Sequence, residues 1–280
     1  MLVPTAVLAG MGLVAGLGLA AAAKAFAVET DPRQDKVNDA LPGANCGGCG
    51  YAGCGDFAAA VVAGKAEAAD CPVADDVTRR ALAEIMGQEV TETKRQVALV
   101  MCQGDQSVAK PSFRYNGQAS CASADLLGGG DKKCLHGCLG MADCQAVCAF
   151  GAVEMTEKGI ARVIPARCTG CGKCLTACPK KLIGMVPEDA VIHVLCVNTD
   201  KGGPAKKACD VACIGCKKCE KAFEEDPRIK ISNFLAHVDY DHAPTDASVV
   251  EACPTGALIL RDLRAFDVDG HETQAPKGQA

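Results

Sequence analysis

A spacing of 75 residues constrains this chain more than any other feature. Adding 75 to Cys134, Cys138, Cys144 and Cys178 gives Cys209, Cys213, Cys219 and Cys253. Adding 75 to Cys148, Cys168, Cys171 and Cys174 gives Phe223, Ala243, Asp246 and Val249. A cysteine-rich module therefore occurs twice, and its second copy lacks four cysteines as a group.

The identity of the lost group points to a cofactor. In two-cluster ferredoxins each motif reads C-x2-C-x2-C-x3-C-P, and the fourth cysteine of one motif ligates the cluster built on the other. Cys168, Cys171 and Cys174 would then share a [4Fe-4S] cluster with Cys148, and these four align with the replaced positions. The second copy has shed one ligand set whole. It keeps Cys213, Cys216, Cys219 and Cys253, followed by Pro254. Disulfides or zinc ribbons give no reason for a loss along this crossed boundary.

The first copy has an irregularity. Met141 stands where the second cysteine of the motif is due. Cys134, in a C-x3-C-x5-C run, is the expected replacement, giving the set Cys134, Cys138, Cys144 and Cys178. The second copy offers both Cys209 and Cys216 for the same role. Regular spacing favours Cys216, with Cys209 as the alternative.

A further set precedes the repeats: Cys46, Cys49, Cys54 and Cys71, spaced C-x2-C-x4-C-x16-C with glycines throughout. Glycines let backbone wrap a cluster and aim N–H groups at its sulfurs. Zinc is the alternative occupant of such a set. Four cysteines remain: Cys102, Cys121, Cys196 and Cys209. They are candidates for a fifth cluster or for packed thiols, since free cysteine behaves as a small buried hydrophobe. Four [4Fe-4S] clusters are thus expected, with a fifth possible.

Composition agrees. The 280 residues include 20 cysteines, no Trp and only 4% aromatics, too few large side chains for an ordinary core of this length. Bound clusters would act as internal cross-links in small domains. A secreted disulfide framework is the rival source of so much cysteine, but the cluster motif argues against it. The histidines show no metal-like pairing, and His193, on a strand, reads as packed. No acid–base or nucleophilic constellation is visible, so a catalytic pocket is not expected, and nothing suggests a nucleic-acid partner.

Residues 1–23 carry no charged side chain. Such a run is long enough to span a bilayer, and it lacks the basic n-region of a cleaved signal. Lys24, Arg33 and Lys36 follow it and place the remainder on the cytoplasmic side of a bacterial inner membrane, where thiolates stay reduced. The expected class is α+β: a transmembrane anchor (1–27), a four-cysteine [4Fe-4S] domain (28–90), a duplicated ferredoxin-like region with a degenerate second module (91–260), and a disordered tail (261–280). Val97–Met101 and Val191–Leu195 read as strands. Ile160–Val163 and Leu235–Val238 read as equivalent hairpin strands. Gly128–Gly130 reads as a turn, since it lacks nucleotide-loop spacing.

Between residues 173 and 221 lie nine lysines, five acids and no arginine. Lys173, Lys180, Lys181, Lys217, Lys218 and Lys221 flank cluster ligands. They form a candidate docking face for an acidic redox partner, or merely a solvated surface.

The apolar N-terminus, Leu41-Pro-Gly-Ala-Asn-Cys46-Gly-Gly-Cys49-Gly-Tyr-Ala-Gly-Cys54, Cys134-Leu-His-Gly-Cys138-Leu-Gly-Met-Ala-Asp-Cys144 and Cys213-Ile-Gly-Cys216-Lys-Lys-Cys219 together resemble the B subunits of Rnf (also called Rsx) membrane complexes, in their long form. The resemblance covers about residues 1 to 260. It implies an anchored electron carrier with A, C, D, E and G subunits as partners and soluble ferredoxin as electron donor. It also implies NAD reduction at the flavin-bearing C subunit and export of sodium or protons. In this reading the chain is an electron-transfer subunit of a translocating oxidoreductase. A polyferredoxin subunit of a hydrogenase, formate or CO-oxidising enzyme is the alternative, and a zinc or metal-storage scaffold is the non-redox one.

Overall fold

The computed structural model describes residues 2–26, 31–88, 94–223 and 228–271, with side chains in the first helix described from Ala9 onward. That helix, α1, runs Leu2–Ala25. Among the described residues no helix is long and apolar enough to cross a membrane. The expected span is thus met as a helix but not as a membrane span. Met11, Leu13, Val14, Leu17 and Leu19 are all exposed.

The four-cysteine domain is helical. Asp31 caps α2 (Pro32–Ala40) by accepting the Arg33 N–H at 2.9 Å, with Pro32 in the first turn, where a missing N–H does no harm. Helix α3 covers Cys54–Val62. Asp75 caps α4 (Asp76–Met86), which ends on Gly87 in the left-handed conformation. Val37, Phe57, Val61 and Leu82 fill the space between them and are almost fully buried.

The first repeat opens with β1 (Gln96–Val100), whose Val97–Val100 run is buried throughout. A short unbroken apolar run suits a strand covered on both faces. Helices α5 (Cys121–Leu126) and α6 (Asp143–Ala146) follow, then the hairpin β2 (Val153–Met155) and β3 (Ala161–Val163), then α7 (Lys173–Ala177). Strand β4 (Ile183–Pro187) returns antiparallel to β1, with Val100 opposite Ile183.

The second repeat copies this plan. Strand β5 (Ile192–Val194) is followed by α8 (Gly202–Ala208) and α9 (Lys218–Lys221). The hairpin β6 (Ile229–Ser232) and β7 (Leu235–Val238), α10 (Ser248–Glu251) and β8 (Leu258–Leu260) complete it, with β8 antiparallel to β5. The 75-residue offset carries α6 onto α9 and α7 onto α10, so the sequence repeat is a structural one.

The vacated cluster position has been filled with carbon. Val249, aligned with Cys174, is 1% exposed in the second core, and Phe223, aligned with Cys148, packs against the same core. Asp246, aligned with Cys171, faces solvent and accepts the Ser248 N–H at 2.9 Å. Where the first copy has cysteines, apolar burial of Val249 and Phe223 holds the module together.

Two sequence expectations are corrected. Residues 261–271 are not a disordered tail. Leu263 is 2% exposed inside the first repeat's core, Ala265 is buried, and Asp269 pairs with Arg167 at 3.4 Å. The polarity that suggested disorder belongs mostly to 272–280, outside the described residues. Lys180 is not a free docking lysine. Its side chain is 9% exposed, its ammonium pairs with Asp125 at 2.6 Å, and it donates to the Gly129 and Leu135 carbonyls. His193 is packed as expected, with Nδ1 3.0 Å from the Tyr240 hydroxyl.

Candidate metal centres

The cysteines gather into sets of four. Cys46, Cys49, Cys54 and Cys71 line one cavity under Leu41 and Phe57. The Gly-Gly pair between Cys46 and Cys49 wraps this cage, and the Asn45 side chain accepts the Cys54 N–H at 2.8 Å, fixing the loop. Cys213, Cys216, Cys219 and Cys253 line another, walled by apolar residues of β5, β6, β7 and β8. Here Cys216, not Cys209, completes the set. Gly215 allows the turn: its φ is +61°, and a Cβ there would meet Phe234 backbone at 2.8 Å.

In the first repeat, Cys174 lies within electrostatic reach of Cys168, Cys171 and Cys148. The Ala98 N–H points at the Cys168 sulfur and the Ala152 N–H at the Cys148 sulfur, both at 3.3 Å. Such bonds favour the ionised sulfur.

The other set of this repeat departs from the sequence expectation. Cys138, Cys144 and Cys178 line a cavity whose fourth cysteine is Cys121, from the first turn of α5, and not Cys134. Cys134 instead lines a separate cavity with Cys102, Cys196 and Cys209. Sequence spacing alone missed this exchange. The available signal was the insertion: 32 residues separate Cys102 from Cys134 but 13 separate Cys196 from Cys209, and Cys121 lies in the added stretch.

Burial governs the acidity of several of these thiols. Desolvation, followed by neighbouring sulfurs, pushes Cys144 and Cys174 up to about 12, and desolvation pushes Cys219 up to about 11. Cys253 is the exception. Burial alone would raise it, but N–H groups of Leu258, Thr255 and Ala257 and the Thr255 hydroxyl together bring it below the ordinary thiol value. Metal binding must therefore displace protons from most cages.

None of the 20 cysteines is in a disulfide. Four sulfurs per cavity, backbone N–H donors aimed at sulfur and apolar walls fit iron–sulfur clusters. Similarity to known proteins agrees. Residues 41–73 match the family described as a putative Fe-S cluster, and residues 160–183 match the 4Fe-4S binding domain. The fold and its cages thus define an iron–sulfur protein of ferredoxin-like modules.

The chain is 44% identical over 257 residues to the B subunit of the Na(+)-translocating ferredoxin:NAD(+) oxidoreductase complex of Acetobacterium woodii, covering 92% of this chain and 77% of the relative. It is 40% identical over 256 residues to the B subunit of the ion-translocating oxidoreductase complex of Methanosarcina acetivorans, covering 91% and 97%. It is also 40% identical over 251 residues to the B subunit of the proton-translocating ferredoxin:NAD(+) oxidoreductase complex of Clostridium ljungdahlii, covering 89% and 88%. The chain belongs to this family of Rnf-type B subunits.

Proposed function

We propose that this chain is the iron–sulfur electron-relay subunit of an ion-translocating ferredoxin:NAD oxidoreductase complex, fed by reduced ferredoxin and assembled with the A, C, D, E and G subunits. When bound, [4Fe-4S] clusters supply one-electron transfer, with potentials set by burial, charge and hydrogen bonds to sulfur. The chain's own residues supply the rest. Cys148, Cys168, Cys171 and Cys174 hold one cluster, Cys213, Cys216, Cys219 and Cys253 another, and Cys46, Cys49, Cys54 and Cys71 a third. Cys138, Cys144 and Cys178 form the protein side of a further one with a fourth thiolate.

The observation that carries the reading is the contact between domains. A Cβ on Gly48 would lie 2.7 Å from the Cys171 carbonyl oxygen, so the loop of the N-terminal cage touches a ligand of the first repeat. In the second repeat Cys216 is exposed, beside exposed Lys217, Lys218 and Lys221. A solvent-facing cage ringed by cations suits an acidic redox donor. Helix α1 is the membrane anchor in this reading. Its exposed apolar side chains have no partner surface in the remainder of the described residues and suit lipid or neighbouring helices. The cage-bearing domains then lie on the cytoplasmic side.

Anaerobic purification tests this directly. Brown protein that needs detergent for release, and whose visible absorbance bleaches on adding reduced ferredoxin, is the expected result. Zinc in place of iron would sink the relay.

A further inference from the structure

We propose that Cys102, Cys134, Cys196 and Cys209 hold an additional [4Fe-4S] cluster at the seam between the repeats, two ligands from each copy, while Cys121 takes the place of Cys134 beside Cys138, Cys144 and Cys178. This deepens the relay reading and rests on its premise that these cysteine cages bind iron–sulfur clusters.

The seam is built twice over by the same local rule. Each copy places one cysteine just after its first strand, Cys102 after β1 and Cys196 after β5. Each copy places a second one four residues before its motif, Cys134 before Cys138 and Cys209 before Cys213. All four line a single cavity. The backbone ties the halves together: Ala109 and Cys209 form an antiparallel bridge, and the Lys110 N–H donates to the Ala208 carbonyl at 3.0 Å.

The hydrogen bonds repeat with the same symmetry. The Cys102 sulfur accepts the Gly104 N–H at 3.3 Å and the Cys138 N–H at 3.5 Å. The Cys196 sulfur accepts the Asn198 N–H at 3.5 Å and the Cys213 N–H at 3.3 Å. Cys138 and Cys213 are themselves repeat equivalents. The Cys134 sulfur accepts from Asn198 Nδ2 at 3.4 Å, and Asn198 is 1% exposed. Packed neutral thiols gain little from five donors, because sulfur in a thiol is a weak acceptor. Ligating thiolates gain much.

Charge completes the case. Lys132 is 8% exposed, and its ammonium donates to the carbonyl of Gly104, a residue lining this cavity, at 2.7 Å. A buried ammonium needs compensation. Four thiolates around a cubane leave a net negative cage, which supplies it. Apolar packing of four thiols would give that lysine nothing to compensate.

The seam also joins what would otherwise be separate. Its sulfurs accept N–H groups from Cys138 on one side and Cys213 on the other, each a member of a neighbouring cage. With the seam occupied, cysteine cages run without interruption from the four-cysteine domain to exposed Cys216.

The test is iron and sulfide counting on anaerobic, reconstituted full-length protein, with cysteine variants taken in pairs. We expect about twenty irons per chain, four per cubane. Cys134→Ala and Cys196→Ala should each lose about four irons, and the double variant the same four, because both act on one cluster. Cys134→Ala with Cys144→Ala should lose about eight, whereas Cys121→Ala with Cys144→Ala should lose only about four. About sixteen irons in the parent, unchanged by Cys196→Ala, would overturn the seam cluster and leave the relay reading standing. Zinc at the seam alone would do the same, and zinc at every cage would overturn both. Should an alanine variant collapse, Lys132→Gln is the second arm. It should keep all the iron and lower the midpoint potential of one cluster in a redox titration monitored by electron paramagnetic resonance. An unshifted potential set would count against the seam.

Discussion

Gly48 sits so close to Cys171 that a single methyl group at Gly48 would lie 2.7 Å from the Cys171 carbonyl oxygen and 3.1 Å from its Cα. Backbone cannot retreat as a flexible side chain can, so the two domains would have to part. Gly48→Ala should cost about 1–3 kcal/mol through overpacking. It should leave iron content unchanged and slow internal electron equilibration between the N-terminal cage and the repeats, as followed by rapid-mixing spectroscopy. A parental rate would show that this contact does not lie on the route.

Of the six lysines of the proposed docking face, Lys173, Lys181, Lys217, Lys218 and Lys221 remain exposed. Lys180 is consumed by Asp125, while Lys217, Lys218 and Lys221 stand exposed around Cys219 and Cys216. Reversing all three to Glu should lower the association rate with reduced ferredoxin by about tenfold at low ionic strength. The difference should shrink as salt screens the charges. A salt-independent loss would indicate damage to the cage rather than lost steering.

Lys180 has a local duty instead. It ties the end of α5, through Asp125 and the Gly129 carbonyl, to the loop after Cys178. Lys180→Met should cost about 1–3 kcal/mol, since it leaves partly buried acceptors unpaired. The loosened α5 carries Cys121, so iron should leave first from that cage, read as about four irons lost per chain. Uniform iron loss from every cage would contradict the assignment.

His193 makes stability depend on acid. Burial holds it neutral and lowers its pKa from 6.5 to about 4. The unfolded chain therefore binds a proton between these values while the folded chain does not. Stability should fall as pH drops from about 6.5 to 4, by about 1.4 kcal/mol per unit from this group. In denaturant titrations at pH 7, 6 and 5, His193→Gln should remove that part of the slope. Parallel slopes for parent and variant would rule His193 out as the source.

Much of this architecture could be read from the residues in order. The 75-residue offset located both repeats, the crossed ferredoxin motif grouped Cys148 with Cys168, Cys171 and Cys174, and short β-rich runs ahead of Cys102 and Cys196 marked β1 and β5. The exchange of Cys121 for Cys134 left one trace in the sequence, the inserted stretch that holds Cys121, and is otherwise settled by tertiary approach. An inserted helix folds back to fill the gap left by Met141, and contact between the copies frees Cys134. The end of the chain misled for a related reason. Its last residues are polar, yet Leu263 and Ala265 are buried, Leu263 within the first repeat's core, a contact no local pattern announces. Lys180 read as a surface charge, and only its burial shows otherwise.

Filling the lost cage with Phe223 and Val249 makes that loss one-way. Restoring ligands there through Phe223→Cys and Val249→Cys would open space in that core before any iron arrived to brace it. In the proposed relay the second repeat therefore keeps one cage of its own, Cys213, Cys216, Cys219 and Cys253, and carbon where the other would be.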